Sequence, residues 1–328
     1  VTVAVTGATG FLGGALTRRL LAEGLEVRAL GRDPQRGAAL SALGARFVPL
    51  DLEDARGLRA AVQGCDTVFH CAARSSPWGP HRAFYAANVL GTRQVVQACL
   101  NAGARLVHVS TPSLYFRYGG GLQVREDHPL PRPVNAYAAT KRAAEHEVAA
   151  GQARGLEAVV LRPRALFGPG DTSVLPRLLA ALERGRLPVI GSEDTVTDLT
   201  YIDNAVDALL LAARSAAAVG GTYNITNGEP VRLWPAVRRL ADRLGLPGPG
   251  RRLPFQVAFG AAALLEGVHA ALGLGEPVLT RYTVSVVARS ATLDISAARR
   301  DLGYAPRVSV AEGLERFACA WEAERGRL

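Results

Sequence analysis

The stretch VAVTGATGFLGGAL, residues 3–16, limits the possible folds of this chain more than any other. An apolar run ends at Thr6, glycines stand at 7, 10 and 13, and a helical pattern begins immediately after. A tight turn needs glycine at backbone angles that other residues resist. In such a turn the middle glycine lets the backbone approach a diphosphate, and the last lets the helix pack on the strand. The helix N-terminus then faces the phosphates. Glycines alone also make ordinary turns, but a strand before and a helix after is the context a dinucleotide site requires. Gly7, Thr9, Gly10, Phe11, Leu12 and Gly13 are therefore expected to hold a dinucleotide.

The rhythm that follows agrees. EVRALGR, ARFVPLDL, DTVFHCAA, RLVHVST and LEAVVLRP read as second to sixth strands. Between them, LGGALTRRLLAEG, AANVLGTRQVVQACLNAG and residues 136–153 read as helices, the first two closed by Gly24 and Gly103. Continuous apolar strands separated by helices imply a parallel sheet covered on both faces. The expected fold is α/β, a doubly wound Rossmann sheet. After Pro163 the pattern breaks at RPRALFGPGD, GLPGPGRRLP and GLGEP, which suggests a smaller cap. TVTDLTYIDNAVDALLLAA returns to strand and helix, with Asp203 the expected N-cap, and GTYNIT reads as a further strand. The division expected is residues 1–165 for the dinucleotide-binding domain, with 196–225 returning to it, and 166–328 mainly for the substrate-binding cap.

The second strand ends at Gly31-Arg32. An acid at a strand tip grips the ribose hydroxyls of NAD, whereas Gly and Arg leave room for, and pair with, a 2′-phosphate. NADP(H) is thus favoured over NAD(H), with Arg32 the phosphate ligand and Arg36 an assistant. The competing reading makes Arg32 a solvated loop residue and gives the ribose to Asp33. Asp51 and Leu52 are expected beside the adenine. The small residues of HCAA (Cys71, Ala72, Ala73) would let the cofactor lie against backbone. His70 and His108 are expected as packed core histidines.

The chain contains 38 Lys plus Arg, and Lys141 is its only lysine. It follows Tyr137 by four residues, so both lie on one helix face. Unperturbed tyrosine has a pKa of about 10, and a neighbouring ammonium favours the phenolate. Lowering that value by roughly three units needs about 4 kcal/mol. A lysine together with an oxidised nicotinamide is expected to supply it. Arginine, bulkier and forked, does not replace a compact ammonium. A third hydroxyl is needed for the substrate oxygen, and VHVSTPSLY offers Ser110, Thr111 and Ser113 where the fifth strand meets the crevice. Thr111 is preferred, with Ser110 second.

Composition narrows the remaining classes. The formal net charge is +9, yet the basic residues are scattered among acids, with no basic run carrying aromatics, so nucleic acid is not expected. The charge suits anionic small molecules equally well. Cys65, Cys71, Cys99 and Cys319 show no CxxC spacing, and buried reduced thiols are expected, with no metal. The chain opens directly on a strand, so no export signal is expected and the cytoplasm is the expected location. The apolar stretch Leu253 to Leu265 is too short to span a bilayer, which leaves contact with a membrane surface or an apolar substrate open.

TGATGFLG, Asp51-Leu52, Asn88 in NVLGT, Thr111, Tyr137 and Lys141 stand in the order of an extended short-chain dehydrogenase/reductase, which the chain resembles along essentially its whole length. LRPRALFGPGD, DLTYIDNAVDALLLA, GTYNITNGEPVRLW and ARRDLGYAPRVSVAEGLER are most similar to its 3β-hydroxysteroid dehydrogenase/isomerase branch. One departure is that the family usually has serine where Thr111 stands. The resemblance implies Tyr137 as general acid in reduction, Lys141 on the nicotinamide ribose, and Thr111 on the reacting oxygen. It adds Asn88, Pro163 and Ala165 to the cofactor site and implies a homodimer through helices 83–102 and 136–153. Reduction of a ketone is implied, on an apolar substrate of the 2-alkyl-3-oxoalkanoate kind, with a 3β-hydroxysteroid as alternative. Two other readings stay open: an NAD-dependent sugar-nucleotide epimerase, and a protein that binds NADP(H) without catalysis. RRLPFQVAFGAAALLEGVHAALGLGEP would supply an apolar wall, and Arg251 and Arg252 either attract a carboxylate or are merely solvated.

Overall fold

The computed structural model describes residues 1–326. Its centre is a parallel seven-stranded sheet: β1 (Thr2–Thr6), β2 (Glu26–Gly31), β3 (Arg46–Pro49), β4 (Thr67–His70), β5 (Arg105–Val109), β6 (Ala158–Pro163) and β7 (Thr222–Ile225). The spatial order is β7-β6-β5-β4-β1-β2-β3. Alternate residues feed two layers. Val3 and Val5 pack into one core with Leu16, Leu161 and Leu209; Ala4 packs into the other with Leu58, Val95 and Val148. Burial on both faces explains the unbroken apolar strands. The direction of winding reverses beside β1, between β2 and β4, and opens a crevice at the strands' carboxyl ends.

The helices that position the site are α1 (Phe11–Ala22), α2 (Pro34–Ala42), α3 (Ala55–Val62), α4 (Gly91–Ala102), α5 (Ala136–Gln152) and α6 (Ile202–Arg214). Gly24 and Gly103 stand just past α1 and α4 with φ of 78° and 65°, as expected of helix-closing glycines. The long helix expected over AANVLGTRQVVQACLNAG is not uniform. A π-helical segment, Tyr85–Leu90, precedes α4 and turns Asn88 inward. Asp203 is not an N-cap. Tyr201 takes that position without a side-chain cap, and Asp203 lies in the first turn, where its negative charge suits the helix end.

The division into domains differs from the expected one. The return to the sheet is made by α6 and β7, whereas Val196–Thr197 pairs with Val231–Arg232 and Ala291–Leu293 in a small second sheet. Gly121–Val124, well inside the first 165 residues, forms that sheet's other edge. Beyond the cap, Ala298, Leu302, Val310 and Phe317 rejoin the main core. The cap proper is held by Val189, Ile190, Trp234, Val284 and two small residues of α7 (Phe255–Ala271), Ala258 and Ala262; α8 (Arg281–Ala288) carries Val284. The outward side of α7 leaves Val257, Leu264 and Val268 exposed. No helix among the described residues is long and apolar enough to cross a membrane.

Candidate active site

The glycine turn is built by close approach. Gly7 has φ of 67°, and a Cβ on it would stand 2.8 Å from the Ala72 backbone. A Cβ on Gly13 would stand 2.2 Å from the Gly7 carbonyl oxygen. Gly10 caps α1, and no side chain hydrogen-bonds there, so the helix end is left for an anion. A cavity of about 270 Å³ opens at this point, lined by Thr9, Gly10, Phe11, Arg18, Arg36 and Gly170 among others. This bare backbone cradle with two arginines fits a dinucleotide diphosphate. Ala72 thus serves the turn itself: its backbone packs on Gly7. Leu12 is buried in the main core, while Leu52 packs against Gly91 of α4.

At the tip of β2, a Cβ on Gly31 would meet the Thr9 side chain at 2.9 Å. The Arg32 guanidinium is 80% exposed and stands 3.6 Å from the Asp51 carboxylate. Asp33, the competing ribose ligand, accepts from the amides of Gln35 and Arg36 and so caps α2. Arg36 donates to the Thr9 carbonyl at 3.1 Å.

Asn135 caps α5 by accepting from Ala138 N at 2.8 Å, which starts the helix one residue before Ala136–Tyr137. The second turn carries Lys141, only 1% exposed. Its Nζ donates to the Val109 carbonyl at 2.7 Å and lies 3.4 Å from His108 Nε2. Burial lowers its pKa to about 8. The Tyr137 hydroxyl is near enough to Thr111 for that side chain to act on it, favouring the phenolate. Ser110 Oγ is instead buried without a partner. Burial raises Tyr137 to about 12, the opposite of the lowering expected from Lys141. The reason is geometric: the ammonium is aimed at the end of β5.

The surrounding residues hold this arrangement. His70 contacts Thr6 and Thr92, and burial, reinforced by the Lys141 charge, drives its pKa down to about 3. His108 is lowered for the same reasons. Both are core histidines, as expected. Asn88 is not a free ligand: it accepts from Arg74 N and donates to the Arg74 carbonyl and Thr140 Oγ1. It therefore ties the loop after β4, with Ala73, to α5. Pro163 pairs with Ile225, and Ala165 has a φ of 45°, a strained position for a non-glycine residue beside the crevice. Of the cysteines, Cys65 and Cys99 are buried, but Cys71 is half-buried and Cys319 exposed, which corrects the expectation of four buried thiols.

Of three further residues in this region, the sequence offered Ser113 only as an alternative hydroxyl and did not single out Tyr282 or Arg164. Ser113 Oγ accepts from Thr111 at 3.1 Å and contacts the Tyr282 hydroxyl of α8 at 2.9 Å. Tyr282 opens a run of half-buried aromatics, Phe116, Tyr118, Phe259 and Phe255, that leads from Ser113 to α7. The expected apolar wall is therefore made jointly by α7 and the 112–118 segment. The third is Arg164, within the quoted RPRALFGPGD. Arg251 and Arg252 lie elsewhere: Arg252 donates to the Gly191 carbonyl at 2.5 Å, beside a cavity of about 500 Å³ whose lining includes neither Tyr137 nor Lys141. No group of three or more His, Cys, Asp or Glu among the described residues could hold a metal ion.

Residues 3–226 match the NAD dependent epimerase/dehydratase family. The 2-alkyl-3-oxoalkanoate reductase of Stenotrophomonas maltophilia (strain K279a) is 38% identical, over 96% of this chain and 98% of the relative. The decarboxylating sterol-4-alpha-carboxylate 3-dehydrogenase of Mus musculus is 30% identical, over 95% of this chain and 88% of the relative. Among solved structures, MoeE5 in complex with UDP-glucose and NAD superposes with a TM-score of 0.79 at 29% identity, covering 99% of this chain and 100% of MoeE5.

Proposed function

The chain belongs to the NAD dependent epimerase/dehydratase family and is an oxidoreductase of the extended short-chain dehydrogenase/reductase kind, and from that premise we propose that it reduces a lipid-like 3-oxo acid to the 3-hydroxy acid with NADPH. The observation that carries the reading is Tyr137 and Lys141 one turn apart on α5, with Thr111 at the end of β5 beside them and Lys141 Nζ bound to the Val109 carbonyl.

A bound reduced nicotinamide supplies the hydride. Tyr137, neutral at physiological pH, gives its phenolic proton to the ketone oxygen, and Thr111 holds that oxygen while its carbon changes geometry. The phenolate left behind recovers a proton from solvent. Lys141, which has lost part of its ordinary basicity to burial, would hold the nicotinamide ribose from the next turn of α5. Pro163 and Ala165 border the nicotinamide end. Asn88 keeps the loop after β4 against the cofactor.

NADPH is favoured over NADH by the bare Gly31 and exposed Arg32 at the tip of β2, and by Arg36 and Arg18 in the lining of the diphosphate cavity. The substrate class rests on the reductase of Stenotrophomonas maltophilia and on the aromatic run from Tyr282 to Phe255, which suits an alkyl chain. A 3β-hydroxysteroid is the second reading, favoured by the mouse relative. The outward sides of α4 and α5 are assigned to a homodimer contact.

Tyr137→Phe tests the mechanism. Turnover falls at least about 1000-fold while NADPH binding, followed by its fluorescence, stays within about twofold. Near-normal turnover in that variant would remove Tyr137 from the chemistry.

A further inference from the structure

We propose that Arg164 is the carboxylate receptor of the substrate site, so that the acid group, and not only the ketone, is required for recognition. The inference rests on the reductase reading and adds to it a residue and an obligatory charge.

The chain holds two arginines two residues apart at the end of β6, and they are treated differently. Arg162 is 5% exposed and fully matched: its Nε and Nη2 donate to the Glu145 carboxylate at 2.8 and 2.5 Å, and Nη1 reaches the Tyr115 hydroxyl. That is a buried arginine serving the fold. Arg164 is half-buried, and among the described residues no carboxylate pairs with it. Its Nη2 donates to Thr197 Oγ1 at 3.1 Å, and its Nε is buried with no partner. The acid that acts on it, Asp198, is 1% exposed and accepts from Leu293 N at 2.7 Å. Burial pushes the guanidinium below its ordinary pKa, and Asp198 only partly offsets this. A cation left short of acceptors in this way is costly unless a ligand completes it.

Its position supplies the ligand. Arg164 directly follows β6, so it stands at the carboxyl end of the sheet where the crevice opens, as Thr111 does after β5. The Tyr282 hydroxyl reaches Ser113 from the cap over the same end. In a 3-oxo acid the carboxylate and ketone are separated by one carbon, so a substrate whose ketone oxygen rests on Tyr137 and Thr111 presents its carboxylate to the neighbouring position. A planar guanidinium with free N–H groups is suited to bind it. The alkyl chains are left to the aromatic run.

The test compares a long-chain 2-alkyl-3-hydroxyalkanoic acid with its methyl ester, both oxidised by the full-length enzyme with NADP⁺. The wild type prefers the acid. Arg164→Met lowers kcat/KM for the acid roughly 100-fold and leaves the ester within about threefold, and Arg164→Lys recovers part of the loss. Calorimetric titration of the acid into the enzyme–NADPH complex, where no reaction occurs, gives a second readout: binding is lost in Arg164→Met and kept with wild type. Equal losses on acid and ester, or unchanged acid binding in Arg164→Met, overturn the assignment. If the acid binds in an Arg164-dependent way but is never oxidised, the receptor stands and the reductase reading fails. A wild type that binds neither compound overturns both.

Discussion

Lys141 shows how far a single residue can be read from sequence. Its isolation among arginines and its spacing from Tyr137 were enough to place both on one face of α5, because helix periodicity is local. Its depth was not legible, since burial depends on what β5 and the histidines bring to it from elsewhere in the chain. That depth reverses the expected electrostatics. Lys141 is lowered to about 8 from an ordinary 10.5, so the unfolded chain binds the extra proton between those values. Stability therefore rises with pH across that window, and the penalty, about 3 kcal/mol, is fully present below pH 8. The urea midpoint of the cofactor-free protein should rise from pH 8 to pH 10, and Lys141→Met should flatten that slope. A flat wild-type profile would mean that Lys141 is not buried as a cation. Arg32 makes a second prediction at this scale. Exposed and only loosely paired with Asp51, it is available to a 2′-phosphate. Arg32→Ala should raise the Kd for NADPH about tenfold and leave that for NADH nearly unchanged. Equal losses would make Arg32 a solvated loop residue and return the ribose to Asp33.

Elements were legible where their ends are chemical. Gly24 and Gly103 end helices because a left-handed residue is needed there, and Asn135 starts α5 because its side chain satisfies an orphan amide. The π-helical segment before α4 was not legible. YAANVL carries neither proline nor glycine, and the wider turn is set by tertiary bonds from Asn88 to Arg74 and Thr140. The same holds for the strand TVTDLTY, which breaks at Asp198 because that carboxylate turns inward to Leu293 N. The orientation of α5 against β6 depends on Glu145 and Arg162, one turn beyond Lys141. Glu145→Ala would leave the guanidinium buried and unpaired, and should cost about 3 kcal/mol in urea unfolding. A loss under 1 kcal/mol would show that the pair does not hold the catalytic helix.

At the scale of the molecule, the Rossmann core could be recognised because each βα unit repeats one pattern, while the cap could not be assembled in advance. Its small sheet takes strands from residues 121–124, 196–197, 231–232 and 291–293, none longer than four residues. Such short pieces carry no periodicity, so Tyr282, more than 140 residues from Tyr137 in sequence, gave no local sign of reaching the catalytic hydroxyls. The fold was thus readable, and what surrounds Tyr137 and Thr111 was a property of the folded chain. The measurement that tests the central claim most directly is NADP⁺ reduction, followed by absorbance, with a long-chain 2-alkyl-3-hydroxyalkanoic acid and a 3β-hydroxysteroid in parallel. Saturable reduction with the acid and little with the steroid is the predicted result. Reduction with the steroid alone would contradict the oxo-acid assignment and move the protein to the steroid reading.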